Sequence, residues 1–155
     1  MGNNNIRLAT LEDLETVRKI AIEWQKEANG NDFGITMDMP YHLADLQALI
    51  SNGDTDLLVL CSDNKIIGYM GIMLYRSPLG EQLVANERYY YVLPEHRGFG
   101  SLRLIKAAME WAKVKGCTHI QFSVNKMASN MYDKTCRLYE KLGMKSFEMS
   151  FIKEL

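Results

Sequence analysis

The segment from Leu83 to Gly116 constrains this chain more than any other. Leu83 to Leu93 is rich in Val, Tyr and Leu, residue types that suit a pleated, half-buried strand, and Pro94 stops it. The turn that follows, Pro94-Glu95-His96-Arg97-Gly98-Phe99-Gly100, carries two glycines. From Ser101 to Lys115, Leu102, Ile105, Met109 and Ala112 then recur at helical spacing, and Gly116 is placed to end the helix. A strand that enters a helix through such a turn leaves amide N–H groups free at the helix N-terminus, where the macrodipole adds partial positive charge. Phosphate binds at such an end. Gly98 and Gly100 let the main chain approach a ligand, and Arg97 and Arg103 add charge-assisted contacts. An ordinary tight strand-to-helix turn has the same composition, so the turn alone leaves both readings open.

The remainder of the chain reads as one unit. Ile6-Arg7-Leu8 is a short strand ending at Thr10, whose hydroxyl can cap the next helix while Asp13 sits at the third helical position. Leu14, Val17, Ala21 and Trp24 mark one buried face of that helix, which ends near Gly30. A loop from Asn29 to Pro40 leads to a shorter helical pattern over Tyr41 to Ile50. Asp56 to Cys61, an Asp63-Asn64 turn and Lys65 to Tyr75 form an antiparallel hairpin, with Gly68 and Gly71 marking bulges or close packing. Thr118 to Val124 is another strand. A helix through Met131, Thr135, Leu138 and Leu142 closes at Gly143, and Lys145 to Lys153 alternates as a final strand or bent strand pair. The expected fold is α/β (mixed α+β): a three-layer αβα sandwich around a mixed, mostly antiparallel sheet of six to seven strands, in one domain over residues 1–155.

Composition narrows the functions available. A net charge of -1, from 18 basic and 19 acidic residues, provides no field to recruit nucleic acid or an anionic membrane. No run of about 18 apolar residues occurs, and the Asn-rich N-terminus lacks the apolar core of a signal peptide. The three cysteines, Cys61, Cys117 and Cys136, are odd in number and widely spaced, as reduced thiols in the cytoplasm would be. His42 and His119 have no His, Cys or Asp companions at ligand spacing, so no metal is expected. A P-loop needs Gly-x-x-x-x-Gly-Lys-Ser/Thr, which is absent. A dinucleotide fold needs a third Gly where Arg103 stands.

The run Tyr91-Val92-Leu93-Pro94-Glu95-His96-Arg97-Gly98-Phe99-Gly100 resembles the acyl-CoA signature of the GNAT N-acetyltransferase superfamily. Further along, Arg137-Leu138-Tyr139-Glu140-Lys141-Leu142-Gly143-Met144 resembles that family's second motif, and the element order agrees over nearly the whole chain. Two departures stand out. Counting from Arg97 through Arg/Gln-x-x-Gly/Ala-x-Gly/Ala, the fourth position is Gly100 but the sixth is Leu102, and Ser101 takes the last small position only if a gap is allowed. The link from Lys126 to Arg137 is longer than the family's by roughly two helical turns.

The resemblance implies an acetyl-CoA-dependent N-acetyltransferase, a transferase acting on a primary amine of a small molecule or peptide by direct attack in a ternary complex. The alternative is a non-catalytic acyl-CoA-binding or interaction module on the same fold. Acetyl-CoA is the implied cosubstrate, with no nucleic acid, membrane or metal partner, and a homodimer is compatible with the reading. Backbone groups near Tyr91, Val92 and Leu93 would bind the pantetheine arm, Arg97, Gly98, Phe99, Gly100 and Ser101 the pyrophosphate, and Asn125 or Asn130 the arm again. Tyr139 matches the motif tyrosine that meets the leaving thiolate. Glu87 is the candidate proton acceptor; period-two alternation puts it on the face of Tyr89 and Tyr91. His96 belongs by the phosphates. Met37, Met39 and Met73 could line an adaptable acceptor pocket, and Asp32 and Asp38 could attract a cationic amine.

Overall fold

The computed structural model describes residues 5–28, 30–127 and 131–155. Its strands are β1 (Asn5–Leu8), β2 (Thr55–Ser62), β3 (Lys65–Arg76), β4 (Leu83–Val92) and β5 (His119–Gln121). Its helices are α1 (Leu14–Glu27), α2 (Met39–Ser51), α3 (Phe99–Val114) and α4 (Tyr132–Lys141). The strands lie side by side in chain order, antiparallel throughout except for the parallel β4–β5 pair. Val17, Ile20 and Ala21 of α1 and Leu46 and Leu49 of α2 bury against one face, with Leu57, Val59 and Tyr69 of the sheet. Leu104, Ile105 and Ala108 of α3 and Tyr139 of α4 bury against the other, with Leu60, Met70 and Ile72. The result is the expected three-layer sandwich.

Local chemistry accounts for the joints. The Thr10 N–H donates to Asp13 Oδ2 at 2.8 Å, and Asp13 also takes the Arg7 guanidinium at 2.7 Å. The Arg7 bond holds the Asp13 carboxyl down at about 2. Asp63 and Asn64, with φ of 47° and 63°, form the two-residue link between β2 and β3 that the sequence marked, because paired left-handed residues match the twist of a hairpin. Gly68 lies where β3 and β4 approach closely: a Cβ there would sit 2.8 Å from the Tyr91 carbonyl oxygen and 3.1 Å from Val92 Cα. Gly68→Ala is therefore expected to lower stability by about 1–3 kcal/mol, read as a lower midpoint in denaturant.

Two expectations are corrected. The sheet has five strands among the described residues, not six to seven, and β5 is three residues long. Phe147, Met149 and Phe151 do alternate, yet they are 82%, 78% and 90% exposed, and residues 145–155 make no main-chain hydrogen bond to the described chain. Alternation states which side chains would share a face; it does not supply a neighbouring strand to pair with.

The second correction moves Glu87. Gly71 pairs with Tyr89 and Ile72 with Glu87, so Arg88 is an extra residue in β4, a bulge. Beyond that bulge the alternation reverses. Glu87 shares the α4 face with Ile72 and Tyr90, whereas Tyr89 and Tyr91 face α1 and α2.

Candidate active site

β4 and β5 pair only from Val84–Asn86 to His119–Gln121 and then separate. The rest of β4 and residues 123–125 become opposite walls of a cleft of about 940 Å³, closed by α1, residues 35–38 and α2 on one side and α4 on the other. The Leu93 N–H bonds to Ile67 of β3, and the Tyr91 carbonyl also lies against β3 at Gly68. By strand alternation the main-chain groups of Tyr90 and Val92 turn the opposite way, into the cleft.

At the cleft's α4 wall stands Tyr139. It is 7% exposed, its ring packs on Phe122 with centroids 5.4 Å apart, and its hydroxyl has no partner among the described residues. An unsatisfied buried hydroxyl carries a desolvation penalty of about 1–3 kcal/mol, which a ligand's hydrogen bond would relieve. Burial, and next the charge of Glu87, push this phenol well above its usual range, so it keeps its proton at neutral pH. Glu87 Oε2 accepts the Ser123 N–H at 3.0 Å, a bond across the mouth of the strand divergence. Burial raises its carboxyl to about 7, outweighing that hydrogen bond, so it exchanges a proton near neutrality.

The turn after β4 begins as a single 3-10 turn over Pro94–His96 and enters α3 at Phe99. Gly98 is the N-cap with φ 88°, and Leu102 N–H to Gly98 carbonyl at 3.0 Å is the bond that closes the first turn. The amides of Phe99, Gly100 and Ser101 precede it and so have no intrahelical acceptor. A Cβ at Gly98 would meet nothing within 4 Å, so the glycine answers to backbone conformation rather than space. Gly98→Ala should destabilise the fold by about 1–3 kcal/mol through that left-handed φ, measurable as a lower thermal midpoint. Gly100 is buried, and its Cβ position lies 3.1 Å from Leu60 Cδ2, so α3 rests directly on β2.

Three further groups complete the walls. Arg97 donates from Nε to the Val92 carbonyl at 2.9 Å and from Nη2 to both oxygens of Glu27 at 2.8 and 2.9 Å. The Tyr91 hydroxyl donates to the same Glu27 carboxylate. Towards α2, Asp45 accepts both Arg88 Nε and Nη2 at 2.8 Å and the Tyr89 hydroxyl at 2.8 Å. His42 meets the Tyr89 ring edge-on at 4.8 Å; it is 7% exposed with Nε2 unpartnered among the described residues, and burial lowers its pKa.

Residues 19–144 match the profile of the acetyltransferase (GNAT) family. The chain belongs to the GNAT acetyltransferase family. No curated protein matches the sequence. Among solved structures, this GNAT chain resembles an aminoglycoside N-acetyltransferase, AAC(6')-Iy, in complex with CoA, at 19% identity over 100% of this chain and 96% of that one, with a TM-score of 0.77. A ribosomal-protein-alanine N-acetyltransferase from Brucella melitensis biovar Abortus 2308 aligns at 16% identity over 98% and 99% of the two chains, with a TM-score of 0.74. A transcriptional regulator from Bacillus halodurans C-125 aligns at 23% identity over 99% and 100%, with a TM-score of 0.77. At these identities the likeness is one of fold.

Of the residues the sequence singled out in this GNAT chain, Glu87, Tyr91, Val92, Arg97, Gly98, Ser101, Asn125 and Tyr139 all line the cleft. Leu93, Phe99 and Gly100 do not line it, Phe99 being 86% exposed, and Asn130 lies outside the described residues. Met37 lines the cleft, Met39 packs into the α1–α2 core, and Met73 pairs with Asn86 inside the sheet. Asp38 is at the cleft, but its carboxylate caps α2 by accepting the Tyr41 N–H at 2.8 Å; Asp32 is exposed away from it. His96 is half-buried and does not line the cleft. Among the described residues, no group of three or more His, Cys, Asp or Glu is placed to hold a metal, and no helix is long and apolar enough to cross a membrane.

Sequence reasoning missed Glu27 and Asp45. Each is a helix carboxylate whose partners lie 43 to 70 positions away, so no local spacing announces it. Arg88 and Arg97 were the one available signal, since a guanidinium carries five N–H donors and no acceptor.

Proposed function

We propose that this GNAT chain transfers an acetyl group from acetyl-CoA to a primary amine by direct attack in a ternary complex. The observation that carries the reading is the buried, unpartnered Tyr139 hydroxyl in the same cleft as Glu87, where β4 and β5 part. The residues fit CoA. The free amides at the start of α3 and the Cβ-less N-cap Gly98 suit a diphosphate, and the cleft-facing main chain of Tyr90 and Val92 suits the amides of a pantetheine arm.

Glu87, with its carboxyl at about 7, accepts a proton from the attacking nitrogen. As the new C–N bond forms and the C–S bond breaks, Tyr139 donates its proton to the departing sulfur. The proton on Glu87 then returns to Tyr139 through cleft water, leaving an amide, a free thiol and an unchanged protein. Three unpaired cysteines, Cys61, Cys117 and Cys136, fit a reducing compartment such as the cytoplasm.

The acceptor wall, which includes Trp24, Tyr41, His42, Tyr69 and Tyr89, suits an amine that carries apolar or aromatic surface. The test is a panel of small amines, amino acids, polyamines, aminoglycosides and Lys peptides, with acetyl-CoA consumption followed by thiol release. Release with at least one amine is expected. CoA binding by calorimetry without release in any arm would favour the binding-module reading, and absence of CoA binding would remove both.

A further inference from the structure

Glu27 is the last residue of α1, and the chain that follows it, at Ala28, Gly30 and Ile35 to Asp38, forms the side of the cleft opposite α4. Its carboxylate reaches across to the β4–α3 turn, accepting two bonds from Arg97 and one from Tyr91. Arg97 in turn lies over the Tyr91 ring, 5.3 Å from the centroid, and covers the cleft-facing carbonyl of Val92. Its Nη1 meets the Met131 sulfur at 3.7 Å, a weak acceptor for a guanidinium.

A carboxylate and an arginine thus neutralise one another inside a cleft whose substrate, on the reading proposed above, carries several phosphate charges. Both side chains are partly open, at 26% for Arg97 and 33% for Glu27, so their pairing is of the modest, solvent-screened kind. A phosphate beside the α3 N-terminus, one residue from Arg97, offers the guanidinium more charge and an equally good fork geometry. Once Arg97 turns to it, Glu27 keeps the Tyr91 hydroxyl alone and faces an anion. The end of α1, and the wall that continues from it, then lose that tie to the turn.

We infer that Glu27 is a positioning residue that ties the acceptor wall to Arg97 and yields Arg97 when a diphosphate enters the cleft. This inference rests on the CoA reading but is separable from it.

The test uses the full chain and CoA itself. In the unmodified protein, CoA should change amide hydrogen exchange over residues 24–28 and 30–38, which include no residue of the α3 turn. Glu27→Gln removes the competing charge: CoA affinity by calorimetry should rise, by up to about fivefold, and the exchange change over those residues should disappear. Arg97→Lys keeps a cation but lacks the fork; it should lose CoA affinity and also the exchange change. Glu27→Asp, which preserves charge on a shorter stem, should retain part of the exchange change and guards against a Gln variant that folds poorly. Weaker CoA binding in Glu27→Gln, or an exchange change equal to that of the parent, would overturn the inference. CoA binding to the parent with no exchange change over residues 24–38 would overturn it while leaving the CoA reading intact, whereas no CoA binding to the parent would overturn that reading first.

Discussion

Tyr139→Phe is expected to lower kcat by about 10²–10⁴-fold while CoA affinity stays within about twofold. The ring is held by burial and by its contact with Phe122, and Phe retains both, so the variant removes the hydroxyl and nothing else. That hydroxyl has no partner among the described residues, so its loss leaves no buried protein group newly orphaned. Stability should therefore hold or rise slightly, which separates a chemical effect from unfolding. The measurement is thiol release under saturating acetyl-CoA with the best amine of the panel, alongside CoA calorimetry and a thermal scan. A variant that turns over at the parent's rate would leave Tyr139 as an amphipathic tyrosine covering the core.

Glu87→Gln should depress kcat/KM at pH 8 by about 10²-fold or more and abolish the rising limb of the pH profile. With its carboxyl raised by burial to about 7, Glu87 is mostly protonated at pH 6 and mostly ionised at pH 8, so the parent's rate should climb through that window. The same shift gives an independent check in stability. The folded state holds this proton at pH values where the unfolded chain, with an ordinary carboxyl near 4.5, has lost it. The contribution of Glu87 is thus fully present below the unfolded value and is lost as pH rises from there through about 7. Glu87→Gln is insensitive to that change, so its stability relative to the parent should improve between pH 5 and 8. A pH profile unaltered by the substitution would move the proton-acceptor role to another cleft group or to water.

Much of the architecture was legible because it is written in short-range patterns. The helical stripes of Val17 and Ala21, and of Ile105 and Ala112, do face the cores, and Asp63-Asn64 does link β2 to β3. Where reading failed, the missing information was non-local. Phe147, Met149 and Phe151 alternate as a strand would but pair with nothing described. The Arg88 bulge cannot be seen in β4 itself, because it exists only relative to the register of β3, and it reverses the face of Glu87.

The sequence by itself determined the strand–turn–helix around Gly98, the helix that carries Tyr139 and their order, since these depend on spacing, backbone freedom and apolar periodicity within one segment. The tertiary structure alone decided what surrounds them. It parted β4 from β5 to open the cleft, carried Glu87 to the α4 face, and brought Glu27 from the end of α1 onto Arg97 and Tyr91. The physical reason is one of range. A helix or turn is selected by neighbours a few residues away, whereas a carboxylate's charge, desolvation and partners are set by whichever distant segments the folded chain packs against it.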